Sequence, residues 1–252
     1  MEFVEMNKPL LEIACFNIES ALKAAHAGAD RIELCDNYYE GGTTPSFGMI
    51  QYAIQKINIP INVMIRPRGG DFLYSSAEFE IMKQDILTIK KLGINGIVTG
   101  ILTSKRTVDL VRMKELIEIA KPLEITFHKA FDLCPDQTTA LETLIELGIH
   151  RILTSGGEKN AWEGLQKIKE LVKQSGDQII IMPGGGIRHQ NIGKLKIQTG
   201  AKEYHSAALV KRMANTRTLE FDNLSHPEQY NHPDISVNEQ EIKAMQKILS
   251  AT

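Results

Sequence analysis

Eight short apolar runs alternate with longer amphipathic stretches along this chain, and this alternation limits the folds it can adopt. The short runs have four to seven residues and resemble buried parallel strands; they are Leu10–Cys15, Arg31–Cys35, Ile61–Arg66, Gly96–Ile101, Glu124–Ala130, Arg151–Ser155, Ile179–Met182 and Glu203–Ala207. Stretches with helical spacing follow them, and the clearest are Ala77–Leu92, Leu110–Ala120 and Ala140–Leu147.

The chain length fits a closed barrel of such units. Eight strand–helix units in 252 residues average about 31 residues each, which is typical of an α/β fold of the (β/α)8 TIM-barrel type. A doubly wound open sheet is the alternative, but no GxGxxG motif follows the first strand, so no nucleotide cofactor is expected. We predict a single TIM-barrel domain over residues 1–252, with a long polar excursion at about 212–238 before a last helix at Glu239–Ala251.

Composition limits which partners the protein is expected to bind and in which cellular compartment it is expected to work. The formal net charge of −2 argues against broad electrostatic binding to nucleic acid or to an anionic membrane. Three cysteines are too few for a disulfide framework in a chain of this length, and the N-terminus shows no signal-peptide pattern. We therefore expect a reduced, cytoplasmic protein.

Charged residues inside the predicted strands indicate what lies in the barrel. Alternate strand residues face the lumen, and their neighbours face the helices. By this rule five polar side chains converge on one cavity: Glu12, Glu33, Arg66, His128 and His205. Cys35 shares the lumen face of Glu33, whereas Cys15 should face outward.

Two interpretations of this polar cavity remain open. The charges can form a paired network that fills the barrel, because buried charges need partners. They can also form a ligand site, because the C-terminal strand ends are where barrel enzymes act. Loops after the strands add candidates for binding a small anion through arginine forks, hydroxyls and glycine backbone: Arg66, Arg68, Thr43, Ser155, Gly184, Gly185 and Gly186.

Several motifs together resemble one known family. They are RIELC at 31–35, EGGTTPS at 40–46, MIRPRGGDFLY at 64–74, TFHKAFD at 126–132 and MPGGG at 182–186. In order and sequence they strongly resemble the copper homeostasis protein CutC family. The resemblance implies a cytosolic TIM barrel, a homo-oligomer, and Cu(I) as the bound ion, held by two cysteine thiols.

The implied thiol pair is altered in this chain. The second thiol of the family matches Cys35, but Ala14 stands at the first position and Cys15 follows one residue later. A shift of one residue along a strand reverses the face of the side chain, so Cys15 should point into the helix layer. We expect Cys35 to be the main soft ligand for Cu(I), with Met64 or Cys15 as candidate second ligands.

Three functional hypotheses follow. The first is a copper-handling protein. The second is a barrel enzyme with lyase- or isomerase-like chemistry on a small anionic or phosphorylated substrate; Glu12 or Glu33 would form an acid–base pair with His128, and His205 would lie in the same set. In that hypothesis Arg66, Arg68 and the 184–186 backbone hold the anion. The third hypothesis, a scaffold without catalysis, does not account for carboxylates in the lumen.

Overall fold

The computed structural model describes residues 8–212 and 234–251, in which strands and helices alternate. One sheet contains β1 Leu10–Cys15, β2 Arg31–Leu34, β3 Ile61–Met64, β4 Gly96–Thr99, β5 Glu124–Phe127, β6 Arg151–Thr154, β7 Ile180–Pro183 and β8 Glu203–Ser206. The helices are α1 Ile18–His26, α2 Phe47–Lys56, α3 Ser76–Ile89, α4 Leu110–Ala120, α5 Gln137–Glu146, α6 Leu165–Ser175, α7 His189–Thr199 and α8 Glu239–Ser250.

The strand order confirms the TIM barrel. Each strand from β1 to β6 pairs in parallel with the next, and β8 returns to pair with β1. Between β7 and β8, a parallel bridge joins Gly184 to His205 just past the end of β7. A doubly wound sheet would instead reverse its strand order at an internal switch point, so that alternative is excluded.

Most strands end earlier than the apolar pattern predicts. β2 stops before Cys35, β3 before Ile65 and β5 before His128. At β5 the reason is local, because His128 caps a 3₁₀ segment at Lys129–Leu133 instead of continuing the ladder. β4, β6 and β8 are also one or two residues shorter than predicted at their C-terminal ends, and β7 is shifted by one residue. Residues past these ends form the mouth of the barrel.

The helices cover the outside of the barrel with apolar faces. α3 shows the predicted stripe, with Phe79, Met82, Ile86 and Ile89 all buried. The helix begins at Ser76 because the side chains of Ser75 and Glu78 form a capping box with the backbone. The main hydrophobic core lies between these helices and the strands, and a separate small cluster lies in the lumen.

The predicted excursion begins and ends in an antiparallel ribbon. β9 Leu209–Arg212 pairs with β10 Asp234–Val237, and α8 follows directly. Residues 213–233 lie outside the described residues, so the assignment of the whole chain to one domain stays a prediction. None of the helices in the described ranges has the length and hydrophobicity needed to span a bilayer.

Gly96 provides a test of the tight lumen. A Cβ at this position would lie 2.6 Å from Asn62 Oδ1 and 2.7 Å from the Glu124 carbonyl oxygen. We expect Gly96→Ala to lower the free energy of unfolding by about 1–3 kcal/mol, because the strand backbone cannot yield easily. Urea denaturation measures this change. Gly48→Ala in α2 is the control: nothing lies within 4 Å of its Cβ position, and we expect no loss of stability. Equal effects of the two variants would contradict the packing.

Candidate functional site

A network of buried ion pairs fills the lower part of the barrel. Arg31 donates from Nε to Glu12 Oε2 at 2.5 Å, and a second ion pair joins its guanidinium to Glu203. Arg151 pairs at 3.0 Å with Glu203 Oε2, the oxygen that Arg31 also contacts, and at 2.8 Å with Glu124. The strand register produces these contacts, because Glu12 lies opposite Arg31 on β2. This part of the lumen matches the interpretation of a paired structural network.

Above this network, His205 lies between two carboxylates. Its Nδ1 is 2.8 Å from Glu12 Oε1, and its Nε2 is 3.8 Å from Glu33 Oε2. Glu12 and Glu33 are buried, and Glu33 Oε1 has no hydrogen-bond partner within the described part of the chain. One oxygen of each carboxylate and one ring nitrogen of His205 all lie within 4.8 Å of one another. The structure thus brings together three of the four predicted catalytic residues.

The charges around this trio set its proton chemistry. Burial alone would raise the pKa of Glu12, but Arg31 and the contact with His205 outweigh it and lower that pKa to about 2. Burial raises the pKa of Glu33, with nearby Glu12 adding to the effect. For His205, burial acts to lower the pKa, yet the two carboxylates outweigh it and raise the pKa above its usual value. Glu12 therefore remains ionised, whereas the pKa shifts of Glu33 and His205 both favour their protonated forms.

His128 does not join the carboxylates as predicted. No hydrogen bond or ion pair links it to Glu12 or Glu33 among the described residues. It lies at the end of β5, with its ring centroid 4.6 Å from that of Phe72. Burial and the charge of Arg66 lower its pKa to about 3, so the ring is neutral at physiological pH. His128 therefore does not contact the carboxylates directly, because β5 lies across the lumen and β8 supplies the imidazole beside them; its acid–base role stays a prediction.

Arg66 uses most of its donors to hold the loops at the mouth. Its Nη1 donates to the carbonyl oxygens of Glu40 at 2.5 Å and Gly42 at 2.7 Å, and Nη2 donates to that of Gly70 at 2.8 Å. Of its side-chain nitrogens, only Nε lacks an acceptor in the described residues. Two loops are thereby tied to one buried guanidinium.

Arg68 lies outside the lumen, and its guanidinium is also paired with groups of the protein itself. Its guanidinium bonds Glu78 at 2.6 Å and Asp71 at 2.9 Å, and it donates to three carbonyl oxygens of the same loop. Arg68 was predicted to hold a small anion, but its charge is already paired with Glu78 and Asp71. The sequence pattern of two arginines around a proline could not reveal that acidic side chains nearby would neutralise one of them.

The loop after β6 already holds an anionic group, which belongs to the chain itself. The Asp132 carboxylate accepts from Thr154 Oγ1 at 2.5 Å, from Ser155 N at 3.0 Å, from Ser155 Oγ at 2.9 Å and from Gly157 N at 3.1 Å. Ser155 was predicted to bind a ligand, but its amide donates to Asp132, and its hydroxyl lies within hydrogen-bond distance of both Asp132 and the Glu158 carbonyl oxygen. Sequence reasoning missed Asp132; the signal was an acidic residue shortly after a strand, opposite a Thr-Ser-Gly-Gly loop.

The remaining predicted loop residues fall in two places. Thr43 exchanges two backbone hydrogen bonds with Asp36, each 3.0 Å long, and so forms part of a turn. Gly184 lies against His205 and faces the lumen side, whereas Gly186 borders an open cavity of about 500 Å³ on the outer rim. A Cβ on Gly185 would lie 3.5 Å from Lys129 Nζ and from Ser155 Cβ, and the role of the three glycines in binding an anion stays a prediction.

The thiols lie in different buried clusters. Cys35 packs in the lumen with Met64 and Val98, and its Sγ donates to Glu33 Oε2 at 3.4 Å. Cys15 belongs to the core shared with the helices, and its Sγ contacts the Ile13 carbonyl oxygen at 3.6 Å. Burial raises the pKa of both thiols well above the usual value. The candidate role of Cys15 as second ligand is not supported, because the one-residue shift turns it away from the lumen.

Comparison with known proteins identifies the family. The model of the CutC family matches residues 9–210, which is most of the chain. The chain belongs to the CutC family. A CutC family protein of Parabacteroides distasonis is 52% identical over 202 residues, covering 80% of this chain and 83% of the relative. The human copper homeostasis protein cutC homolog is 47% identical over 216 residues, covering 86% of this chain and 78% of the relative.

Solved structures agree with this placement in the CutC family. The crystal structure of CutC from Streptococcus agalactiae superposes with a TM-score of 0.76 at 37% identity, covering 79% of this chain and 98% of that one. More distant barrels, such as an aldolase with a TM-score of 0.61 at 15% identity, share the fold alone. The motifs quoted from the sequence thus led to the correct family.

The charge balance around Glu12 predicts a pH-dependent stability. We expect Glu12→Gln to cost about 3–5 kcal/mol at neutral pH, because Arg31 would remain buried with one partner fewer. The folded pKa of about 2 lies below the usual value of 4.5, so Glu12 stabilises the fold above pH 4.5 and loses this effect as the pH falls toward 2. Denaturant unfolding of both proteins across this range should show the difference narrowing.

The exposed Glu118, which pairs with Lys121 at the surface, provides the matched control. Glu118→Gln should leave the free energy of unfolding unchanged within error, because an exposed ion pair contributes little. A difference between wild type and Glu12→Gln that stays constant from neutral to acidic pH would contradict the assigned charge state.

Proposed function

We propose that this CutC protein serves copper homeostasis by binding Cu(I) at Cys35, with the Met64 thioether as the second soft ligand. The observation that carries the proposal is their common position at the mouth end of the lumen. A Cβ placed on Gly42 would lie 3.4 Å from Cys35 Sγ and 3.6 Å from Met64 Cε, so both side chains reach the same point. Thiolate and thioether sulfur are the ligands that select Cu(I).

The surroundings of Cys35 support the proposal. A thiol must lose its proton to bind copper. Glu33 accepts the hydrogen bond of the Cys35 thiol and is therefore the nearest group that can take this proton. From the family resemblance we also propose that the protein works in the cytoplasm as a homo-oligomer.

Titration of the reduced protein with Cu(I) in competition with a chromogenic chelator tests the copper site. We expect Cys35→Ser to weaken Cu(I) binding by at least about tenfold, since the thiolate provides the strongest bond. Met64→Leu keeps the volume of the side chain but removes the sulfur, and it should weaken binding by a smaller factor.

Cys15→Ser is the matched control, because it removes a buried thiol of the neighbouring strand that faces the helices. It should leave the Cu(I) affinity unchanged. If Cys35→Ser binds Cu(I) as tightly as the wild type, or if Cys15→Ser weakens binding equally, the proposed ligands are wrong.

A second candidate function rests on a different observation, the position of His205 between Glu12 and Glu33. A carboxylate that holds Nδ1 fixes the orientation of the imidazole and leaves Nε2 to exchange protons. Glu33 lies on the Nε2 side with one free carboxylate oxygen. This arrangement supports acid–base chemistry, of lyase or isomerase type, on a small anionic or phosphorylated molecule at the barrel mouth.

Thermal-shift measurements with a panel of sugar phosphates and organic acids test the second candidate. We expect at least one compound to raise the melting temperature of the wild type, because binding to the folded state stabilises it. Turnover of that compound should vanish in Glu33→Gln and persist in Glu118→Gln. If no compound in a broad panel stabilises the wild type, the enzymatic hypothesis fails, whatever the copper titration shows.

A further inference from the structure

Two buried N–H groups near the ends of β3 and β5 make no hydrogen bond within the described residues, although the Tyr74 hydroxyl lies near the Arg66 guanidinium. Arg66 and His128 are each 4% exposed. Arg66 Nε and His128 Nε2 lack a hydrogen-bond partner among the described residues. A buried donor left unpaired costs about 1–3 kcal/mol, so two of them at one end of a lumen indicate a place for an acceptor.

The Arg66 guanidinium is fixed before any ligand arrives. Three carbonyl oxygens hold its Nη atoms, and its Cζ lies 5.0 Å from the centroid of the Phe72 ring. The plane of the group therefore has little freedom, and the direction of the Nε–H bond is set by the loops. A donor that is already held in position binds a ligand more tightly than a flexible donor, because less conformational entropy is lost on binding.

The tautomer of His128 is set by the backbone. Its Nδ1 accepts from the amide of Ala130 at 3.3 Å, so in the neutral ring Nε2 carries the hydrogen. The ring lies against the same Phe72 side chain that faces Arg66. His128 is thus held as a neutral donor and not as a base, a role that stabilises an oxygen without transferring a proton to it.

Gly100 keeps the space beside His128 open. It follows β4, the strand between the two donors, and a Cβ there would lie 2.7 Å from His128 Cε1 and Nδ1. Any larger residue would push the imidazole from its position. The absence of a side chain at Gly100 is therefore required for the imidazole to keep this position.

We propose that Arg66 Nε and His128 Nε2 bind a carboxylate or carbonyl oxygen of a small organic acid in the barrel mouth. The inference deepens the second candidate function, on which it rests, by naming the functional group that the substrate presents. The cation favours a carboxylate, and the neutral imidazole can polarise a carbonyl. Glu33 and His205 remain the groups that move protons.

Nitrogen NMR of the 15N-labelled full-length protein tests the donor directly, with pyruvate and acetate as probes. His128 is assigned by comparison with the spectrum of His128→Phe. We expect a neutral ring with hydrogen on Nε2 throughout about pH 6–8, and a shift of the Nε2 resonance when either probe is added. A ring protonated on Nδ1, or an Nε2 resonance that neither probe moves, would overturn the inference.

Probe affinities separate this inference from the function on which it rests. His128→Phe keeps an aromatic ring but removes the donor, and it should weaken pyruvate binding by about tenfold. The control is His150→Gln, because His150 Nδ1 also accepts a backbone amide, from Ile125, but at the opposite end of the barrel. It should bind pyruvate as the wild type does.

Glu33→Gln distinguishes the two failures. It should retain pyruvate binding, because Glu33 is not one of the donors, while losing any turnover found in the ligand panel. If His128→Phe binds pyruvate as tightly as the wild type while Glu33→Gln loses pyruvate binding, the organic acid binds at Glu33, and the donor pair is refuted. Retained binding without turnover of any panel compound would leave the donor pair standing and remove the acid–base function.

Discussion

Pairing of charges inside the barrel is the constraint on which the other features depend. Glu12 has no exposed surface and can remain ionised only because Arg31 and His205 contact its two oxygens. These contacts join β1 to β2 on one side and to β8 on the other. The same carboxylate therefore holds three strands in register at the point where the barrel closes. It also orients His205, so the structural network and the candidate site share one residue.

The lumen is divided by chemistry above that network. The side between β2 and β3 carries sulfur, with Cys35 and Met64 in one cluster. The side of β8 carries the imidazole of His205, and the end of β5 carries that of His128 in a neutral form. Glu33 connects the first two, since it accepts from Cys35 and faces His205. Soft metal binding and proton transfer are thus proposed for adjacent parts of one cavity.

The loops at the mouth are held by groups that the sequence suggests as ligand-binding residues. Arg66 donates to the loops after β2 and β3, Arg68 pairs with Glu78 and its own loop, and Asp132 fills the anion-binding loop after β6. These contacts within the protein require no ligand, and they fix the backbone around the cavity. What remains for a ligand is the small set of polar atoms that have no partner in the described part of the chain, among them Arg66 Nε, His128 Nε2 and Glu33 Oε1.

The sequence by itself determined the barrel, the family and the direction of the strand side chains. Alternation with a period of two placed Glu12, Glu33 and Cys35 toward the lumen and Cys15 toward the helices, because a strand offers only two faces. The order of eight strand–helix units left little choice of topology.

Only the tertiary structure decided which lumen groups meet. The sequence offered two histidines to the carboxylates, and the circular closure of β8 against β1 selected His205 over His128. It also paired Asp132 with Ser155, and Arg68 with Glu78. Contacts between distant segments depend on strand stagger and loop path, which local periodicity does not encode.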